Sequence, residues 1–104
     1  MTAFRRDAPG LEEDFTLQPS GSEGAVAELV VELTPGQTVI YHWEAETEVD
    51  FNIHSHQGEA VTYHERLVRR EADGVFGSRT SGEYYLMWEN GTSAPVSIRV
   101  ELRR

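Results

Sequence analysis

A chain of 104 residues has room for one domain with a modest core. Its 18 acidic against 9 basic side chains leave a net charge of −9, which repels nucleic-acid phosphates and anionic headgroups, so DNA, RNA and membranes are not expected partners. The lack of cysteine excludes disulfides, thiolate metal sites and cysteine nucleophiles, and no apolar run approaches the roughly 20 residues of a membrane helix.

Residues 1–10, closed by Pro9 and Gly10, show no periodicity and are expected to be a flexible terminus ahead of a single domain at 11–104. "MTAFRRDAPGLEED" has no apolar core of the secretory kind, so the cytoplasm is the default expectation; a leader already removed would leave no mark. From Leu11 onward, turn signals recur at "PSGSEG" (19–24), "TPGQ" (34–37), "EAETE" (44–48), "HQGE" (56–59), "EADG" (71–74), "TSGE" (80–83) and "ENGTSAP" (89–95). Breaks at intervals of about 8–12 residues predict an all-β chain.

The segments between them alternate with period two. "AVAELVVEL" sets Ala25, Ala27, Leu29, Val31 and Leu33 against Glu28 and Glu32. "VIYHWE" sets Val39, Tyr41 and Trp43 against Ile40, His42 and Glu44, and "APVSIRVELRR" sets Val96, Ile98, Val100 and Leu102 against Ser97, Arg99, Glu101 and Arg103. No window carries a helical period. The prediction is an antiparallel two-sheet β-sandwich of about eight strands with no substantial helix. The arginine pairs Arg69-Arg70 and Arg103-Arg104 read as solvated strand ends.

Trp43 at the end of the strand that follows Gly36, the "VDFNI" pair Phe51 and Ile53, and "SGEYYLMWENGTSAPVSIRVEL" (81–102), with Gly82, Tyr84, Leu86, Trp88 and Asn90, together resemble the GOLD domain. That β-sandwich occurs in Golgi cargo receptors and some lipid-transfer proteins, and the likeness spans about Val31 to Leu102. It implies a jelly-roll-like sandwich that binds protein or another ligand without catalysis, with 81–102 as a closing hairpin. The paired cysteines, coiled coil and membrane anchor of the Golgi receptors have no counterpart, so cargo-receptor function is not carried over. "FNIHSHQG" also resembles a segment of small bacterial proteins. Asn90 followed by Gly91 is a type I′ turn signal, Gly82 suits a positive φ or a close approach, and Trp43, Phe51, Tyr84 and Trp88 are expected in the core.

Chemistry concentrates in "DFNIHSHQGEAVTYHE" (50–65), which holds three of the four histidines. With Val49, Phe51 and Ile53 inward, Asp50, Asn52, His54 and His56 share the other face, with the two histidines about 6.5–7 Å apart at Cα. Their imidazoles are placed to converge on one ion, given a third ligand. His64 is one candidate, returned by a turn at Gln57-Gly58; His42 is another, if "EAETE" turns the chain so that Trp43 meets Phe51. Such a site suits zinc or copper, with Glu59 or Glu65 as an oxygen donor. The cupin motif also has His-x-His before Glu, but its acidic residue comes later than Glu59 and its Pro-Gly-His segment is missing, so it is set aside. The competing expectation is a solvated acidic face whose histidines bind nothing, or respond only to pH. No nucleophile elbow or phosphate loop accompanies Ser55 or Ser81, so no catalytic residues are expected. The leading expectation is a non-enzymatic interaction module for an unknown protein or small ligand, with no cofactor; a copper or zinc protein built on His54, His56, His64 and His42 is the alternative.

Overall fold

The computed structural model describes residues 2–4 and 9–104. Seven strands, with no helix among the described residues, run β1 (Thr2–Phe4), β2 (Gly10–Leu17), β3 (Val26–Leu33), β4 (Thr38–Gln57), β5 (Ala60–Gly77), β6 (Gly82–Glu89) and β7 (Val96–Arg103). They form one hydrogen-bonded sheet in the order β1-β3-β6-β4-β7-β2, with β5 on the remaining edge of β4. All pairs are antiparallel except β1 with β3. The all-β expectation holds, while the pairing gives one continuous sheet of seven strands in place of two separate sheets of about eight.

Two of the expected breaks are not chain reversals. "EAETE" lies inside β4 and "EADG" inside β5, and they face each other, Glu44 opposite Glu71. Here Ala45, Glu46, Thr47 and Glu48 of β4 stand against Arg70 alone, because the register resumes at Val49 and Arg69. Extra residues in one strand bend it and deepen its twist. On its other side β4 exchanges neighbours at this bend: Ile40 to Ala45 pair with β7, and Asp50 to His54 pair with β6. Glu46 secures the corner, its Oε1 accepting the Ser97 N–H at 2.7 Å.

Where reversals do occur, the sequence explains them. Thr34-Pro35-Gly36-Gln37 is a type II turn, with Gly36 at φ 87° and Gln37 N–H donating to the Thr34 carbonyl at 3.0 Å. Gln57 pairs with Ala60 across Gly58-Glu59, and with only Gly58 at positive φ this is the type II′ hairpin form.

β2 begins at Gly10, and ahead of it Thr2–Phe4 run parallel to β3 with Phe4 only 1% exposed. Residues 1 and 5–8 lie outside the described residues. The closing hairpin is corrected as well, because β6 pairs with β3 and β4 whereas β7 pairs with β2 and β4. The Asn90-Gly91 turn is not type I′, since neither residue has positive φ. Asn90 is instead fully buried: its Nδ2 donates to the carbonyls of Gln18 (3.0 Å) and Ala94 (2.8 Å), and its Oδ1 accepts the Thr92 N–H (2.8 Å). Gly82 has the expected positive φ, 159°, but nothing within 4 Å of where a Cβ would stand; the close approach is at Gly74, where a Cβ would meet the Tyr41 hydroxyl at 2.7 Å.

The inner face buries Trp43, Phe51, Tyr84 and Trp88, as expected. Phe51 lies 5.2 Å from Trp43 and 5.3 Å from Trp88 between ring centroids, and Trp43 meets Trp88 edge-on. Phe15 of β2 reaches Trp88 of β6 at 6.0 Å although these strands are not neighbours, so the sheet curls around this cluster. Both indole Nε1 atoms are buried and have no hydrogen-bond partner among the described residues, which costs about 1–3 kcal/mol each.

Candidate functional site

The pairing of β3, β6, β4 and β5 arranges the outer face in rows. Val30, Tyr85, His54 and Tyr63 stand in register across the four strands; beside them run Glu28, Met87, Asn52 and Arg66, then Val26, Glu89, Asp50 and Val68. Phe51, Ile53, Leu86 and Trp88 fill the opposite face, so period two sends these rows outward.

His54 is at the centre, and it is not solvated: it is 6% exposed. Tyr85 stacks on it at 5.3 Å and 13°, Tyr63 lies at 5.9 Å, and His56 meets it edge-on at 5.1 Å. Its Nδ1 donates to Asn52 Oδ1 at 2.6 Å, leaving Nε2 directed at Glu28 Oε2, 3.6 Å away. Burial lowers the His54 pKa below its ordinary value; the Glu28 carboxylate opposes this, and His56 and His64 reinforce it. The solvated-face expectation is therefore corrected for His54, while His56 is exposed.

His64 returns alongside through the predicted turn but does not join the pair. Ile53 faces Glu65 and His54 faces Tyr63, so His64 is the extra residue of a β-bulge. It points to the other side, where Nε2 shares a 2.8 Å hydrogen bond with Ser55 Oγ and the ring packs on Phe76 and Tyr84. Tyr84 hydrogen-bonds Ser78 and the Thr80 carbonyl there. Glu65 accepts the Tyr41 hydroxyl at 2.8 Å, and Glu59 lies in the hairpin turn. His42 sits beyond the bend, its Nε2 donating to Glu44 at 3.1 Å, because "EAETE" does not reverse the chain. His42 and His64 are thus corrected as partners of His54 and His56. Among the described residues no group of three His, Cys, Asp or Glu is gathered to hold a metal. Glu28, from β3, was missed because nothing local in the sequence places β3 two strands from β4.

Ser55 and His64 have the spacing of a nucleophile and a base, but among the described residues no carboxylate bonds the other ring nitrogen. A shallow recess of about 410 Å³ adjoins the histidine row, lined by Asp50, Asn52, Tyr63, Arg66, Val68 and Met87 among others. Beside it β5 forms an edge. Among the described residues it pairs only with β4, and Val61, Tyr63, Val68 and Val75 along it are 44–66% exposed. Arg69 and Arg70, read as strand ends, lie in the middle of this strand.

No family model matches the chain, and no curated protein does. Five solved chains match, among them the solution NMR structure of a de novo designed double-stranded β-helix. It is 20% identical over 89% of this chain and 99% of that one, with a TM-score of 0.49, a likeness that carries neither fold nor function to this protein. No helix among the described residues is long and apolar enough to cross a membrane.

Proposed function

We propose that this chain is a non-enzymatic interaction module that receives an extended segment of a partner protein as an added strand along β5. The observation that carries the reading is the edge of β5, 18 residues long, on a strand whose only neighbour among the described residues is β4. An open edge offers backbone donors and acceptors at every second residue, and side chains alternating along it supply selectivity.

Charge indicates which partner fits. In a chain of net charge −9, the middle of this edge carries Arg66, Arg69 and Arg70, all exposed, with Val68 57% exposed between them. Among the described residues no salt bridge engages Arg66 or Arg70; Arg66 lies over the Tyr63 ring at 4.5 Å. A second copy paired antiparallel about this point would set arginine against arginine, which is destabilising, whereas an acidic segment with alternating apolar residues complements both features. The reading includes a GOLD-like folding of the sheet into two facing layers at the β4–β5 bend, which the ring contact between Phe15 and Trp88 favours.

Selection of peptides from a random displayed library, followed by amide NMR mapping, tests this. Acidic-apolar sequences should emerge, shift resonances within 60–77, and lose about tenfold or more in affinity against Arg66→Glu/Arg70→Glu protein. Peptides that map to another surface, or no selected peptide at all, would remove the proposal.

A further inference from the structure

We propose that two copies of this chain associate through the outer face of β3, β6, β4 and β5, stacked face to face about a two-fold axis that lays β3 of each copy on β5 of the other. An antiparallel sheet face left to water carries mostly polar side chains. Here Val26, Tyr63 and Val68 point outward and are 44%, 48% and 57% exposed, with Val30, Tyr85 and Met87 on the same face. Apolar side chains grouped on one face mark a surface that another surface covers.

Charge decides what covers it. The middle row runs Glu28, Met87, Asn52, Arg66, acidic at its β3 end and basic at its β5 end. Among the described residues no arginine bridges Glu28 and no salt bridge engages Arg66. A two-fold axis running across the strands would lay each strand on its own copy, with Glu28 against Glu28 and Arg66 against Arg66. An axis along the strands, passing between β4 and β6, reverses the strand order instead. Glu28 then meets Arg66 of the second copy at both ends of the row, Val26 meets Val68, and Val30 meets Tyr63. Sheets packed this way lie about 10 Å apart with strand directions within about 30°, a gap that a glutamate and an arginine span together. The cost falls on the third row, where Glu89 meets Asp50 of the second copy. Both are exposed, and Glu89 ends β6, so solvent screens them. Three rows of four residues are about half of the roughly 20–30 a side in a standard interface, which places the dimer at the weak end, near about 10–100 μM. The stacked faces leave the outer edge of β5 open, so this proposal is independent of strand addition there.

Sedimentation velocity of the full chain from about 1 to 500 μM tests it, and should show monomer passing to dimer across that range. Glu28→Arg and Arg66→Glu should each weaken association about tenfold or more, and Glu28→Arg combined with Arg66→Glu should restore it, with amide spectra confirming each fold. Glu89→Gln should tighten the dimer about threefold, by easing its contact with Asp50. Glu28 is on β3, so Glu28→Arg should bind peptides selected against the β5 edge as the parent does, which separates failure of the dimer from failure of strand addition. A parent that stays monomeric at 500 μM, a dimer indifferent to Glu28→Arg, or single variants that the combined exchange does not rescue overturns the proposal.

Discussion

Asn90 shows how one side chain can replace a turn. Its amide satisfies carbonyls from the β2–β3 connection and from its own loop, while its oxygen gathers the Thr92 N–H and hydroxyl. Its backbone N–H also donates to Ala25 at 2.9 Å. Removing the amide leaves several buried groups unpaired, so Asn90→Ala should cost about 3 kcal/mol in urea unfolding. A loss below about 1 kcal/mol would mean water takes its place. Tyr41 makes a second residue-scale case. Its ring crosses Gly74 to reach Glu65, and burial first, then the hydrogen bond to Glu65 and the charges of Glu65 and Asp73, raise its pKa well above the ordinary 10.0, with Arg69 opposing. A raised pKa means the folded state holds its proton longer than the unfolded chain does. The stabilisation is complete below pH 10 and is lost as pH rises beyond it. All nine basic side chains are arginine, so no lysine titration overlaps this window. Stability measured from pH 8 to 12 should fall above pH 10, and Tyr41→Phe should flatten that fall; an unchanged slope in the variant would assign it elsewhere.

At the scale of elements, the β4–β5 hairpin decides where chemistry lies. Its reversal near Gln57-Gly58, the alternation of Phe51 and Ile53, and the placement of His54 and His56 on the other face follow from local sequence and were legible there, though the turn's type II′ form at Gly58-Glu59 was not. The bulge at His64 was not, because one inserted residue changes face without changing composition. Nor was the continuity of β4 through "EAETE": polar residues mark a bend as well as a reversal, and only the exchange of β7 for β6 as neighbour tells them apart. Asn90-Gly91 misled for a related reason, since buried capping and a type I′ turn call on the same side chain. The bulge makes its own prediction. Deleting His64 leaves His54 opposite Tyr63 and Ile53 opposite Glu65 in unbroken alternation, at the cost of the bond to Ser55. The deletion should fold and lose only about 1 kcal/mol. Global unfolding would show that the bulge sets the curvature of the sheet.

Over the whole molecule, stability is graded by how many neighbours a strand has. β4 is hydrogen-bonded on both sides, to β5 on one and to β7 then β6 on the other, and it carries Trp43 and Phe51 into the ring cluster. β5 is its partner along nearly the full hairpin, yet no other strand among the described residues pairs with its outer side. The amides of an edge strand therefore divide in two: those turned toward β4 share the protection of the sheet, and those turned away exchange almost as in an unfolded chain. Residue-resolved hydrogen exchange should show this alternation within 60–77 and uniform slow exchange across 40–44 and 50–54, where β4 is paired on both sides. Uniform protection along β5 at high protein concentration that fades on dilution would mean that a second copy occupies the edge despite its arginines. Alternation that becomes uniform only on adding an acidic-apolar peptide would place the partner where charge and geometry both direct it.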